Sequence, residues 1–190
     1  CLRACIDRFA KKHGVEVVKG WGMNETGPLG TIFCKKAGME ELTQDELFDL
    51  QCVQGRGVFG IEMRIVDENN QQLPWDGVAF GALKVKGPWV ASGYYGLSQI
   101  PGSEGCPVDE LGWFDTGDVA TINPQGYMRI TDRTKDVIKT GGEWVSSIEI
   151  ENAAVSHPDV AEAAAIGRYH PKWTERPLLV VVRKADTSVS

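Results

Sequence analysis

The chain has 190 residues, 42% hydrophobic and 24% charged, with a formal net charge of −6 at pH 7. That content supports one sizeable core or parts of two domains, and it excludes a disordered chain. The acidic balance lacks the basic face that non-specific nucleic-acid or anionic-membrane binding needs, and no apolar run reaches the roughly 20 residues of a membrane span.

The opening segment, CLRACIDRFAKKHG, predicts an amphipathic helix with Leu2, Cys5, Ile6 and Phe9 on one face. It carries no secretory apolar core and no initiator Met, so the chain is expected to start inside an element of a longer protein. VEVVKG (15–20) predicts a buried strand that empties into the glycine-rich turn GWGMNETGPLG (20–30). Residues 35–56 are polar and irregular, except for a helix predicted from Thr43, where Thr43 and Glu46 have capping-box spacing. Alternation then predicts strands at 61–67, 82–87, 119–123 and 127–132, with Asn123, Pro124 and Gly126 forming a hairpin turn.

The character changes after Arg133. DVIKTGGEWVSS predicts strand, glycine turn and short strand, and Ser146 with Glu149 then opens a helix that ends near His157-Pro158. VAEAAAIGRY (160–169) and LLVVVRK (178–184) predict two more strands, and the closing DTSVS completes no element. A domain joint is expected at Asp132–Lys135, giving domains 1–132 and 133–190. Five cysteines (Cys1, Cys5, Cys34, Cys52, Cys106) without a CxxC, and three histidines without ligand spacing, predict neither a zinc site nor a disulfide framework. A reduced, cytoplasmic setting fits them better.

Three segments carry chemistry. Glycines at 20–30 let backbone amides approach a ligand, Glu25 is placed to hold a divalent cation beside a phosphate, and Asn24 to bond a phosphate oxygen. Asp115 and Asp118 flank Thr116-Gly117 just before a predicted strand, and one carboxylate accepting two hydrogen bonds suits a vicinal diol. Arg133, Lys135 and Lys139 form a cationic cluster before Gly141-Gly142. Each segment also has a plainer reading: a solvated turn, an aspartate bonding its own backbone, and a solvated basic face.

Together these segments resemble the adenylate-forming (AMP-binding) superfamily of acyl-CoA synthetases, luciferases and peptide-synthetase adenylation domains. GWGMNET is similar to the superfamily's aromatic-G-M-T-E motif, and FGALKVKGPWVASGYYG to its G-E-L-x-x-x-G-P…G-Y-Y segment. GWFDTGD is similar to the ribose-binding T-G-D motif, and DRTKDVIKTGGEWVSSIEIE to the hinge and lid signature. Four matches in order and spacing make the resemblance specific. Two departures stand out, Asn24 in place of threonine and Ala82 where many relatives have glutamate.

The resemblance implies an α/β plus α+β fold: the end of a large AMP-binding domain, with a helix–strand layer and a small barrel-like part, then an incomplete α+β lid. It implies ATP, Mg²⁺ and CoA as cofactors and partners, with a carboxylic acid as substrate. Gly22, Asn24 and Glu25 would lie at the phosphates, with Glu25 on Mg²⁺ as metal ligand and catalytic residue. Asp118 and Arg133 would bind the ribose, Asp132 or Lys135 would be the hinge, and Lys139 would face the active site for thiolation. Gly141, Gly142, Glu143 and Trp144 would line the pantetheine channel. The phosphate loop would precede residue 1 and the terminal lid lysine would follow Ser190, so a fragment inactive by itself is expected.

The run GGEWVSSIEIE…HPKWTERPLLVVV looks most similar to medium-chain fatty acyl-CoA ligases and methylmercaptopropionate-CoA ligases, with Trp173, Glu175 and Arg176 shaping a lid edge. Aryl-acid ligases, carrier-protein adenylation enzymes and a non-catalytic nucleotide-binding module remain open alternatives.

Overall fold

The computed structural model describes residues 2–184, with side chains from Cys5 onward. Cys1, the Leu2 side chain and the closing DTSVS lie outside the described residues. The chain divides into two compact units, one of Cys1–Thr116 with Ala120–Ile130, the other of Gly117–Val119 with Thr131–Ser190.

In the first unit, helix α1 (Leu2–His13) buries Ile6 and leaves Phe9 at the surface. The strand expected at 15–20 forms only at its end. A three-stranded sheet takes β1 (Gly20–Trp21), β2 (Thr31–Ile32) and β3 (Arg56–Gly57) in that order. Val15 and Val18 are half exposed, and ladder bonding reaches back only to Lys19, whose carbonyl accepts from the Phe33 N–H at 2.8 Å. Alternation favours a strand, but a strand persists only where a neighbour satisfies its backbone.

Helix α2 (Gln44–Gln51) starts where the capping box predicts. Glu46 N–H donates to the Thr43 hydroxyl, and the Glu46 carboxylate accepts from the Thr43 N–H at 2.8 Å. Leu47 and Leu50 pack against a small core of Phe33, Val53 and Tyr127, so the stretch around α2 is held by apolar anchors despite its polar composition.

The main sheet has the order β4-β5-β6-β7, made of β4 (Glu62–Val66), β5 (Phe80–Lys86), β6 (Phe114–Ile122) and β7 (Met128–Arg133). Ile65 pairs with Leu83 and Met63 with Val85, and these join Phe114, Ile122 and Met128 in the largest core. Burying each such side chain contributes about 1.5–3 kcal/mol. The register also sets Arg64 opposite Lys84, a like-charge pair that alone would destabilise the sheet. Asp109 resolves it, lying 2.6 Å from Arg64 and 3.6 Å from Lys84, while the Arg64 guanidinium covers the Trp113 ring at 4.5 Å.

β6 begins five residues before the strand expected at 119–123, so Asp118 sits within it rather than at its start. Aspartate and glycine signalled a turn, yet Asp115 points outward while Phe114 and Thr116 are buried, so the pleat tolerates them. The Thr116 hydroxyl donates to the Leu83 carbonyl at 2.8 Å. The hairpin turn after β6 is as expected, with the Asn123 carboxamide oxygen accepting from Gln125 and Tyr127 N–H groups.

The second unit is a four-stranded sheet, order β10-β11-β8-β9, with one helix. Its elements are β8 (Ile138–Thr140), β9 (Glu143–Val145), α3 (Ser147–Val155), β10 (Val160–His170) and β11 (Thr174–Arg183). Ser146 caps α3 by accepting from the Glu149 N–H, and α3 docks on β10 through the Ala165 N–H donating to Glu151 at 2.9 Å. β10 and β11 form a long antiparallel hairpin from Val160↔Arg183 to His170↔Thr174.

Candidate functional site

The turn after β1 is built by one threonine and one close approach. Thr26, fully buried, accepts from the Met23 N–H at 2.9 Å, and its hydroxyl hydrogen is shared between the Met23 and Pro28 carbonyls. This closes a short 3-10 turn over Asn24–Thr26. At Gly22 any Cβ would collide with the Pro28 carbonyl oxygen, so this glycine is required by the turn's own backbone.

The turn leaves Asn24 exposed and Glu25 half-buried. The Glu25 carbonyl accepts from the Ala91 N–H at 2.8 Å, and its carboxylate accepts from the Tyr94 hydroxyl at 2.6 Å. That hydrogen bond, with burial and the carboxylate's charge, pushes the Tyr94 hydroxyl up to about 12. Sequence reading gave Tyr94 no role, although it falls in the Gly-Tyr-Tyr segment. Among the described residues no three His, Cys, Asp or Glu side chains gather as a metal cage. A single half-exposed carboxylate fits Mg²⁺ in the mode where one or two carboxylates share the ion with substrate phosphates.

In the second unit Asp118 and Arg133 come together. The Asp118 side chain is 9% exposed and its Oδ1 lies 3.0 Å from Arg133 Nε, while the Arg133 side chain is 64% exposed. A carboxylate fixed by packing beside a guanidinium open to solvent can present acceptor and donor to one polar ligand. Gly117 at φ 71° makes the local bend, and its carbonyl accepts from the Thr134 N–H at 2.9 Å.

Asp132 behaves differently from a loose joint. It is 2% exposed. One carboxylate oxygen accepts from the Arg133 N–H at 2.8 Å, and the other from the Ser147 N–H at 2.7 Å and its hydroxyl at 2.9 Å. The Ser146 hydroxyl donates to the Thr131 carbonyl at 2.9 Å. Residues 131–132 are thus stitched to the N-terminus of α3, where a negative charge is favoured. Lys135 is exposed. Neither Ser147 nor this stitching was read from the sequence, because a serine beside a cap is indistinguishable from the cap itself.

Lys139 and Trp144 face each other across the β8–β9 ladder, with Nζ 5.1 Å from the ring centre. Gly141 (φ 63°) and Gly142 (φ 86°) make the turn between them, and Glu143 follows, exposed. The glycine turn is therefore flanked by a cation and an aromatic ring in contact.

No helix among the described residues is long and apolar enough to cross a membrane. Residues 2–95 match the AMP-binding enzyme family and residues 149–190 the AMP-binding enzyme C-terminal domain. The chain is 50% identical over 186 residues to a 3-methylmercaptopropionyl-CoA ligase of Ruegeria lacuscaerulensis, covering 96% of this chain and 33% of that protein. It is 42% identical over 190 residues to a medium-chain-fatty-acid–CoA ligase of Ectopseudomonas oleovorans, covering 100% of this chain and 34% of that protein. Among solved structures, ATP-bound MatB from Rhodopseudomonas palustris superposes with a TM-score of 0.73 at 29% identity, over 99% of this chain and 34% of that one. The chain spans about a third of the length of these relatives. With both family matches in order along one sequence, the chain belongs to the AMP-binding enzymes.

Proposed function

We propose that the full-length protein activates a fatty carboxylic acid, of medium chain length, with ATP and transfers the acyl group to CoA. In the first step a carboxylate oxygen attacks the α-phosphorus of ATP, the bond to pyrophosphate breaks, and acyl-AMP forms. In the second the CoA thiolate attacks the acyl carbon and AMP leaves. The observation that carries this reading is the buried Asp118 carboxylate fixed beside Arg133, an acceptor–donor pair suited to a ribose diol.

In this reading Gly22 and Asn24 shape the turn at the phosphates and Glu25 would hold Mg²⁺, which supplies charge neutralisation there. Tyr94 keeps the Glu25 carboxylate oriented. Lys139 with Gly141, Gly142, Glu143 and Trp144 forms the channel for pantetheine. The joint between large domain and lid, expected between residues 132 and 133, is better placed before Thr131, because residues 131 and 132 are bonded to the start of α3. Lys135, exposed, suits the hinge better than Asp132, which three hydrogen bonds hold in place. The relatives' names, ligases of 3-methylmercaptopropionate and of medium-chain fatty acids, support the choice of acid. Four free cysteines among the described residues support a reducing, cytoplasmic setting.

The test is ATP–pyrophosphate exchange by the full-length protein across a series of fatty acids. Asp118→Ala should weaken ATP and AMP binding by about 1.5–3 kcal/mol, a lost charged hydrogen bond. Unchanged nucleotide affinity removes Asp118 from the site. No exchange with any acid, while ATP still binds, points to a non-catalytic nucleotide-binding module.

A further inference from the structure

The two hairpins of the second unit meet at Trp173. Its carbonyl accepts from two amides, the Gly141 N–H at 2.9 Å and the Glu175 N–H at 2.7 Å. The second of these closes a tight turn centred on Thr174, which is held at φ 66°. A β-branched residue with positive φ is an outlier that persists only where its surroundings over-determine it. Thr174 also pairs with Thr140 in the ladder between β11 and β8. The Trp173 ring then lies over Gly141, where an added Cβ would come within 2.7 Å of it.

Glu175 completes the brace. Its carboxylate accepts from the Lys139 N–H at 2.9 Å, and Gly167 makes room for it, since a Cβ there would lie 2.7 Å from the carboxylate. The Trp173 side is cationic, with Lys172 Nζ 4.7 Å and the Arg176 guanidinium 5.9 Å from the ring centre. Trp173 remains 38% exposed, so burial alone does not account for its placement. Its contacts and those of Glu175 fall on the backbone of residues 139–141, the stretch that aims Lys139 at Trp144.

We propose that Trp173 and Glu175 are positioning residues for the thiolation half-reaction, holding the Gly141–Gly142 turn and the Lys139–Trp144 pair in the arrangement that admits the CoA thiol arm. The role rests on the function proposed above. In that function the turn meets only CoA, which enters in the second step, so the two half-reactions should respond differently. A brace that merely stabilised the fold would lower both in proportion to the folded fraction.

The experiment uses the full-length protein and measures pyrophosphate exchange separately from acyl transfer out of preformed acyl-AMP. Trp173→Ala should raise the KM for CoA or slow transfer by about 10- to 100-fold, while exchange changes by less than about 3-fold. Glu175→Ala should show the same split, and Trp173→Phe should recover most of the transfer rate. Gly141→Ala should slow transfer strongly alone and less, though still measurably, in the Trp173→Ala background, because the clash with the ring is gone while the φ of 63° still disfavours a side chain. The proposal is overturned if both half-reactions fall equally, if transfer is unchanged in well-folded Trp173→Ala and Glu175→Ala, or if Phe gives no recovery. Absence of exchange in the unsubstituted protein sinks the function itself, and this role with it.

Discussion

At the scale of single residues, the Glu25–Tyr94 contact makes a titration prediction. The hydrogen bond to the Glu25 carboxylate, reinforced by burial, raises the Tyr94 hydroxyl from 10.0 to about 12. A folded-state value above the unfolded one means the contact stabilises the fold fully below pH 10 and is lost as pH rises toward 12. Tyrosinate absorbance should therefore show one tyrosine titrating near 12 that moves back toward 10 in Glu25→Gln. An unchanged titration curve in that variant removes the contact. The partnership is legible only in three dimensions, because Glu25 and Tyr94 are 69 residues apart. What the sequence did disclose was Glu25 itself, by its place in a glycine-rich turn.

At the scale of elements, the capping signals were the most informative local features. Thr43 with Glu46 and Ser146 with Glu149 each start a helix, because their side chains satisfy amides that the helix leaves unpaired. The start of α3 has a further support that local pattern does not reveal, the Asp132 carboxylate on the Ser147 N–H and hydroxyl. Asp132→Ala removes three hydrogen bonds and a favourable charge at a helix N-terminus, and should cost the second unit about 2–3 kcal/mol. Hydrogen exchange at α3 amides in the full-length protein reads this directly, and unchanged protection would remove the anchoring role. Strand reading failed where it relied on alternation alone. Val15–Gly20 alternates but forms ladder contacts only at its end, while the Asp-Thr-Gly-Asp stretch looks like a turn yet continues β6.

At the scale of the whole molecule, the sheet that carries the largest core on one face carries a charge cluster on the other. Burial opposes the charge on Asp109, yet the Trp113 and Leu111 amides and the Arg64 and Lys84 cations together hold its carboxyl below 3.8. A depressed folded value means stabilisation present above 3.8 and lost as pH falls through the folded value. Asp109→Ala leaves Arg64, whose side chain is 10% exposed, opposite Lys84 without the shared anion. The first unit should lose about 3 kcal/mol, measured as a shift in denaturant midpoint. A shift under about 0.5 kcal/mol would show the cluster to be a solvated surface pair.

The sequence by itself determined the starts of α2 and α3, the Asn123–Gly126 hairpin turn and the Gly141-Gly142 turn, since each depends on interactions within a few residues, but it missed β3 and the early start of β6. It also carried the resemblance to the family, in the segments GWGMNET, FGALKVKGPWVASGYYG, GWFDTGD and DRTKDVIKTGGEWVSSIEIE. Only the tertiary structure decided which side chains meet: Asp118 with Arg133, Glu25 with Tyr94, Asp132 with Ser147, and Trp173 with Gly141. Those pairings depend on how strands register and how turns close, and register is fixed by packing across the sheet rather than by any local run of residues.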